Sequence, residues 1–395
     1  MKSALPAGVV ALGLVSLFMD MSSEMIHALL PLYLTGTLGA SALVVGLIEG
    51  VGEAVAQITK LFSGYFSDLS GRRKPLAVLG YGLSALTKPL FALAGSPALI
   101  LGARVADRVG KGIRGAPRDA LVADLVPPHQ RGAAYGLRQS LDTVGAFSGP
   151  LLAVLFMVVL NGNVPLIFAL AIIPAVISVA ILVLFVREPA RQMRVAPPAR
   201  ITLGSLRLLG SGVWIAIAIG SALTLARISE AFLILRAGEA GLALTYAPFV
   251  LVAMNVVYAA TSWPVGILAD KIGKTGLLAT GFAVLVLADL CLAFGQGLGV
   301  IFAGVGLWGL HMGLTQGLLA AMVADATPAP LRGTAFGLFN LATGFALLIG
   351  NGVAGAVWTF YGAQATFSLG AVVAVVALLA GLLWHRQTRR AAKAG

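Results

Sequence analysis

The sequence predicts an all-α membrane protein with twelve transmembrane helices in two pseudo-symmetric six-helix bundles. First, 59% of the 395 residues are hydrophobic and only 11% are charged, whereas about a quarter of the residues of a soluble domain are charged. Second, apolar runs of roughly 20 residues, long enough to cross a bilayer as a helix, recur along the chain. Third, segments of the first half reappear about 200 residues later, as similar segments of the second half.

The apolar runs between polar breaks define the predicted spans. They lie at 7–36, 41–67, 75–95, 97–126, 131–160, 164–187, 206–237, 242–269, 275–295, 298–325, 331–360 and 365–386. One long polar segment containing three prolines separates the sixth span from the seventh. The predicted domains are therefore an N-terminal bundle (1–187), a cytoplasmic linker (188–205) and a C-terminal bundle (206–395) that ends in a short basic tail.

Basic residues predict the orientation of the chain. Lys and Arg occur in the connections after even-numbered spans and in the tail, whereas connections after odd-numbered spans, such as AGSP, NGN and YGAQ, carry none. Because basic loops remain on the cytoplasmic side, we expect both termini and the linker to be cytoplasmic, in a multi-pass protein of the inner (plasma) membrane. The lipid bilayer is then a partner of the chain, and we expect a monomer.

Composition also argues against several functions. The net charge of +12 comes from cations in short connections and not from a basic soluble domain, so we expect no nucleic acid partner. The chain has no glycine-rich phosphate loop followed by Lys-Ser/Thr, and we expect neither a cofactor nor enzymatic activity. Histidines and methionines do not follow the spacing of a metal site, and we expect none.

Two repeated segments indicate homologous halves. The stretch GYFSDLSGRRKPL at 64–76 is similar to GILADKIGKTGLL at 266–278, and VADLVPPHQRGAAYGL at 122–137 is similar to VADATPAPLRGTAFGL at 323–338. Glycines at helix ends let helices approach closely, and an aspartate at a helix–loop junction can bind backbone N–H groups or an arginine. A topology signal of positive charge alone would explain Arg72, Arg73 and Lys74, but not the glycines or Asp68.

The stretches GYFSDLSGRRK and GILADKIGK resemble the loop signature of the major facilitator superfamily and its second-half equivalent, and the chain resembles this family over its full length. The resemblance implies that family's fold and secondary transport by alternating access. It also implies a conformational latch at the cytoplasmic side that favours the outward-open state. The expected latch residues are Gly64, Asp68, Gly71, Arg72, Arg73, Gly266, Asp270 and Gly273.

Ionisable residues inside the predicted spans are concentrated in the first half. Each costs about 2.5–3.5 kcal/mol at the centre of a membrane helix, so each needs a partner or a function. The fourth span carries the densest group along one face, a basic stripe for which the second half has no counterpart. The stripe consists of Arg104, Arg108, Lys111 and Arg118, and acidic neighbours lie in the first span (Asp20, Glu24), the second (Glu53) and the fifth (Asp142, beside Arg138).

Two further stretches resemble family motifs. RVGKGIRGA at 108–116 resembles the helix 4 motif, and this implies a part in proton transfer for Arg108; Lys111 and Arg114 occupy positions that are usually uncharged there. Gly145, Gly149 and Pro150 of the fifth span resemble a signature associated with antiporters, although two expected glycines are missing after them. Glycines and proline would let this helix bend and pack closely on a partner.

Two compatible interpretations of the buried charges remain open. In the first they form structural ion pairs, with Asp107 bound to Arg104 or Arg108 and Asp142 bound to Arg138, because buried charges are normally paired. In the second, Asp20 and Glu24 carry protons in a central cavity together with Arg108, since burial favours the protonated carboxyl and a nearby arginine the ionised form. The expected substrate-binding residues are Glu53, Arg104, Lys111, Arg138, Asp142, Tyr258, Trp308 and His311.

The leading functional hypothesis is proton-coupled efflux, by antiport, of small organic compounds. The alternative is transport, by either export or uptake, of an anionic metabolite or a metal chelate bound by the basic stripe. A membrane receptor or a lipid flippase on the same fold is a third hypothesis, which an absence of proton or substrate flux would favour. Both transport hypotheses require a small-molecule substrate, and the first also requires protons.

Overall fold

The computed structural model describes residues 5–70, 72–188, 209–272, 274–327 and 331–394, and the regular elements in these ranges are helices. We number them in the order of the predicted spans. They are α1 (Ala7–His27, extended by Leu30–Leu32 and a π-helical turn, Tyr33–Thr37), α2 (Ala42–Ser70), α3 (Lys74–Leu93), α4 (Pro97–Asp124), α5 (Arg131–Val159), α6 (Val164–Leu170 and Ile172–Phe185), α7 (α7a, Ser211–Ala226, and α7b, Glu230–Glu239), α8 (Phe249–Ile272), α9 (Lys274–Phe294) and α10 (Gly297–Asp325).

The last helical run, Arg332–Ala394, consists of two helices. Gly362 has φ 84° and ψ 176°, which interrupts the helix, and the Thr366 hydroxyl donates to the Ala354 carbonyl oxygen over 3.3 Å. A straight helix would hold residues twelve apart about 18 Å from each other, so the chain folds back at Gly362. We call the two parts α11 (332–361) and α12 (363–394).

The membrane character of the fold is confirmed. Ten helical stretches of the described residues are long and apolar enough to cross a membrane, with α11 and α12 counted as one stretch. The charged helix α4 is not among the ten, although its 28 residues suffice in length. The all-helical prediction is correct, whereas the number of twelve spans stays a prediction.

The described helices group into two units by their contacts. Unit 1 comprises Met1–Ala40, Val51–Arg200 and Ala243–Val252, and unit 2 comprises Ser41–Gly50, Ile201–Leu242 and Ala253–Gly395. The functional domain boundaries expected at 187 and 206 stay a prediction.

In unit 1, α1 packs closely on α5. A Cβ atom at Gly149 of α5 would lie only 2.6 Å from the Met21 carbonyl oxygen of α1, and one at Gly145 would overlap the Leu17 carbonyl oxygen. Glycine is therefore needed at both positions for the helices to approach this closely. The close packing expected of the fifth span is confirmed, and its partner is α1.

In unit 2, α7 is broken near its middle. Arg227 has an extended backbone after α7a, and Ser229 caps α7b by accepting a hydrogen bond from the Ala231 N–H over 3.2 Å. The Asn351 side-chain oxygen of α11 accepts a second bond, from the Ser229 N–H, over 2.7 Å. These side chains satisfy backbone groups that a break in a helix leaves without helical partners.

Candidate functional site: a charged cavity in unit 1

Four helices of unit 1, α1, α2, α4 and α5, enclose a cavity of about 230 Å³ lined largely by charged side chains, which we call the charged cavity. Four lining residues are acidic and four are basic. Charges of both signs in one cavity offset each other's cost of burial. The acidic residues are Asp20, Glu24, Glu53 and Asp142, and the basic residues are Lys60, Lys111, Arg114 and Arg118.

Asp20 on α1 and Asp142 on α5 both line the cavity, and their carboxyl groups lie close enough for a hydrogen bond between them. An ionised carboxylate can only accept hydrogen bonds, so a bond between the two groups would require a proton on one of them. The close glycine packing of α1 on α5 brings the two helices near enough for the contact. Each aspartate was an expected site residue, but their spacing in the sequence does not predict that they meet.

Two arginines surround the Asp142 side of this pair. Arg138 Nη1 lies 3.6 Å from Asp142 Oδ1, as expected from their spacing on α5, and Arg118 Nη1 of α4 lies 3.9 Å from the same oxygen. Arg118 is held in place by Asp119 Oδ1, 3.0 Å from its Nη2, and by the Ser16 hydroxyl, 3.3 Å from its Nη1. Positive charge is therefore concentrated on the Asp142 side of the pair.

The basic stripe of α4 divides into two parts. Arg104 and Arg108 are buried, and their side-chain stems pack on α2 at Gly52, where a Cβ atom would lie 3.2 Å and 3.3 Å from their Cγ atoms. Arg108 Nη2 also lies 3.3 Å from Glu53 Oε1. Lys111, one turn further along α4, lines the cavity together with Arg114 and Arg118.

The ion pair expected for Asp107 is wrong. Asp107 Oδ1 binds Lys88 Nζ of α3 over 3.0 Å, and Lys88 also donates to the Ser23 hydroxyl of α1 over 3.1 Å. Lys88 and Asp107 are both buried. Asp107 lies on the side of α4 that packs against α3, so the partner comes from that helix and not from the arginines of its own helix.

Three expected substrate residues belong to unit 2, whereas the charged cavity belongs to unit 1. The Tyr258 hydroxyl donates to Gln316 Oε1 over 3.0 Å. Trp308 and His311 are fully buried in α10, and His311 Nδ1 bonds the Gly281 carbonyl oxygen over 2.9 Å. Substrate contact by these three residues stays a prediction.

The structure describes some of the residues of the expected latch. Arg73 Nη1 binds Asp124 Oδ2 over 2.8 Å, and the Glu188 carboxylate accepts the N–H groups of Arg73 and Lys74, each over 2.8 Å. Arg72 is exposed. These contacts join the start of α3 to the ends of α4 and α6 within unit 1, while the function of the latch stays a prediction.

The signature glycines differ in their surroundings. A Cβ atom at Gly64 would lie 3.4 Å from the Ala116 Cβ of α4, whereas one at Gly266 would meet none of the described atoms within 4 Å. Close packing at Gly266 stays a prediction. Gly71 and Gly273 lie outside the described residues, as do the side chains of Asp68 and Asp270.

Four polar residues that line the charged cavity were not among the expected site residues: Gln57, Lys60, Arg114 and Arg118. Lys60 lies on α2 seven residues after Glu53, a spacing of two helical turns that places both side chains on one face. This spacing could have identified Lys60 as a site residue, because Glu53 was already a candidate.

Comparison with known proteins agrees with this architecture. The family model of the Major Facilitator Superfamily matches residues 12–253 and 215–395. The uncharacterized MFS-type transporter MJ1317 of Methanocaldococcus jannaschii is 33% identical over 94% of this chain and 93% of its own. The multidrug resistance protein MdtH of Yersinia pestis is 37% identical, over 29% of this chain and 28% of its own.

Among solved structures, the fold is similar to that of a mutant of the nucleoside transporter NupG, with a TM-score of 0.80 and 13% identity over 95% of this chain and 99% of that one. A bacterial homologue of the human lysosomal transporter Spinster has a TM-score of 0.78 and 15% identity, over 96% of each chain. The family match spans both halves of the chain and the MJ1317 relative covers almost all of it. The chain therefore belongs to the major facilitator superfamily, as a transporter and not an enzyme.

Proposed function

We propose that this transporter is a proton-coupled exporter of small organic compounds, and that the Asp20–Asp142 pair is its proton site. The observation that carries the proposal is the close approach of two carboxyl groups in one cavity, because two such groups share a proton more readily than they both ionise. The similarity of part of the chain to the multidrug resistance protein MdtH supports export of organic compounds. We expect the protein to act as a monomer in the inner membrane, with cytoplasmic termini.

The pair can couple proton and substrate by competition. When the shared proton leaves, two adjacent carboxylates repel each other, and a cationic group of a substrate relieves this repulsion. When a proton returns to the pair, that attraction is lost and the substrate is released. Proton and substrate then exclude each other from one site, which is the requirement for exchange in opposite directions.

Glu24 and Arg108 are placed to assist this exchange. Glu24 lines the cavity one turn after Asp20 and is held by His27 Nδ1 over 3.3 Å. Arg108 binds Glu53, which lines the opposite side on α2. We propose that Glu24 extends the proton site and that Arg108, through its ion pair, holds the Glu53 carboxylate in position at the cavity.

The test is transport in proteoliposomes with ethidium, a lipophilic cation, under an imposed pH gradient. We expect Asp20→Asn and Asp142→Asn each to abolish pH-driven ethidium exchange while the purified variants keep the melting temperature of the parent. Glu239→Gln, which replaces a half-exposed carboxylate of α7b in unit 2, outside the cavity, is the control and should transport normally. Unchanged exchange in both cavity variants would refute the proton site.

Four basic side chains in the same cavity favour a second candidate, transport of an anionic metabolite or a metal chelate. Lys111 and Arg118 lie on the cavity face of α4, where a carboxylate or phosphate group could bind them. The same proteoliposomes loaded with a radiolabelled sugar phosphate test this candidate. Flux of the sugar phosphate that is lost in Lys111→Gln and Arg118→Gln, with no ethidium flux in the parent, would establish it in place of cation export.

A further inference from the structure

Asp289 of α9 is a buried carboxyl group that the charged cavity does not use. Its side chain lies inside unit 2 with 1% exposure, and neither carboxyl oxygen has a hydrogen-bond partner among the described residues. An ionised carboxylate in such a position would carry a large desolvation cost. A neutral carboxyl group, holding a proton, is the form that this environment accommodates.

Few groups around Asp289 could balance the negative charge of its ionised carboxylate in place of a bound proton. Neither α7a nor residues 363–382 of α12 contain an ionisable side chain. None of the ionisable residues described nearby bonds the Asp289 carboxyl. These residues lie on three elements. Arg227 directly follows α7a, and α7b carries Glu230 and Arg236, whose guanidinium donates to the carbonyl oxygens of Leu292 in α9 and of Gly295 just after it, over 2.7 Å and 2.8 Å. The others are Cys291, two residues further along α9, and two residues of α10: His311, whose Nδ1 bonds the Gly281 carbonyl oxygen, and Asp325, exposed at the helix end.

The carboxyl group adjoins the break in α7. A Cβ atom at Gly370 of α12 would lie 2.8 Å from Asp289 Oδ2 and 3.4 Å from the Ala226 carbonyl oxygen, so both oxygens border the space left by this glycine. Ala226 is the last residue of α7a, and the final carbonyls of a helix have no intrahelical donor. A protonated carboxyl group is the kind of donor that suits such a carbonyl.

We propose that Asp289 is a second proton-binding site, independent of the charged cavity, and that the end of α7a closes it. Discontinuous helices in transporters commonly border ion sites, because their ends expose backbone groups that a continuous helix would satisfy. Exchange of the Asp289 proton requires water to reach the carboxyl group, and the break at Arg227–Ser229 is the adjoining backbone that can move to admit it. The ligand of this site is a proton.

The test is infrared difference spectroscopy of the full-length purified protein, which separates protonated from ionised carboxyl groups. In the parent we expect a protonated-carboxyl band that shifts in D₂O and disappears in strongly alkaline buffer, and that is absent from Asp289→Asn. The same band should persist in Asp20→Asn, which distinguishes it from the pair in the charged cavity. Failure of the cavity proposal would therefore leave this result unchanged.

A pair of glycine variants on α12 provides a second measurement. We expect Gly370→Ala to shift the frequency of the Asp289 band, because its methyl group contacts Oδ2, whereas Gly381→Ala, with no atom within 4 Å of its Cβ position, should leave the band unchanged. Identical bands in the parent and Asp289→Asn would show that Asp289 is ionised and would overturn the proposal. A band that neither alkaline buffer nor D₂O alters would overturn it as well, because such a proton does not exchange.

Discussion

Lys88 Nζ of α3 lies 3.0 Å from Asp107 Oδ1 of α4, in an ion pair that is almost completely buried. Removing one partner of such a pair leaves an uncompensated buried charge, which typically costs about 3–5 kcal/mol. We therefore expect Lys88→Met and Asp107→Leu each to lower the melting temperature of the purified protein strongly. The double variant should recover most of the loss, because an apolar pair of similar volume replaces both charges. If the double variant were as unstable as the sum of the two, the pair would not be the source of the effect.

The contact of α5 with α1 predicts opposite effects for two glycines of one helix. A Cβ atom at Gly149 would lie 2.6 Å from the Met21 carbonyl oxygen, whereas one at Gly136 would meet nothing within 4 Å. We expect Gly149→Ala to destabilise the protein by about 1–3 kcal/mol through overpacking. Gly136→Ala should be neutral or stabilising by up to about 1 kcal/mol, because alanine favours the helix. Unfolding in mixed detergent measures both, and equal effects would argue against the close packing.

The Glu188 carboxylate caps α3 from outside the membrane, where it accepts the N–H groups of Arg73 and Lys74. We expect Glu188→Ala to cost about 1 kcal/mol, the usual effect of losing an N-terminal cap. Glu188→Gln should cost less, since its amide oxygen can still accept one of the two bonds. Hydrogen–deuterium exchange of the first turn of α3 measures the effect locally. Unchanged protection in Glu188→Ala would mean that the cap does not hold this turn.

The ion pair between Arg73 and Asp124 links a signature residue to the end of α4. Because the pair is partly exposed, we expect a coupling free energy of about 0.2–1 kcal/mol in a double-mutant cycle of Arg73→Ala and Asp124→Ala. High salt should reduce this coupling, since it screens exposed charges. A coupling of zero at low salt would mean that the two residues act separately.

Part of the candidate site could be predicted from the sequence, because helical spacing alone places residues on a common face. Asp20 with Glu24 and Arg138 with Asp142 are each one turn apart on one helix, and this was sufficient to expect them together. Gly145 and Gly149 likewise indicated a closely packed helix without naming its partner. Lys88 was missed because a single lysine in an apolar segment has no periodic signal, and its partner lies on another helix.

The sequence by itself determined the membrane-spanning, all-helical class, the internal repeat and the family, because hydropathy and repeated motifs are properties of the linear chain. The tertiary structure decided which charges meet. Asp20 lies beside Asp142, Lys88 binds Asp107, and only part of the basic stripe of α4 lines the charged cavity. The physical reason is that contacts between helices depend on their rotation and distance, which packing at positions such as Gly145 and Gly52 sets. A lone carboxyl such as Asp289 becomes notable only when its surroundings prove to hold no partner for it among the described residues.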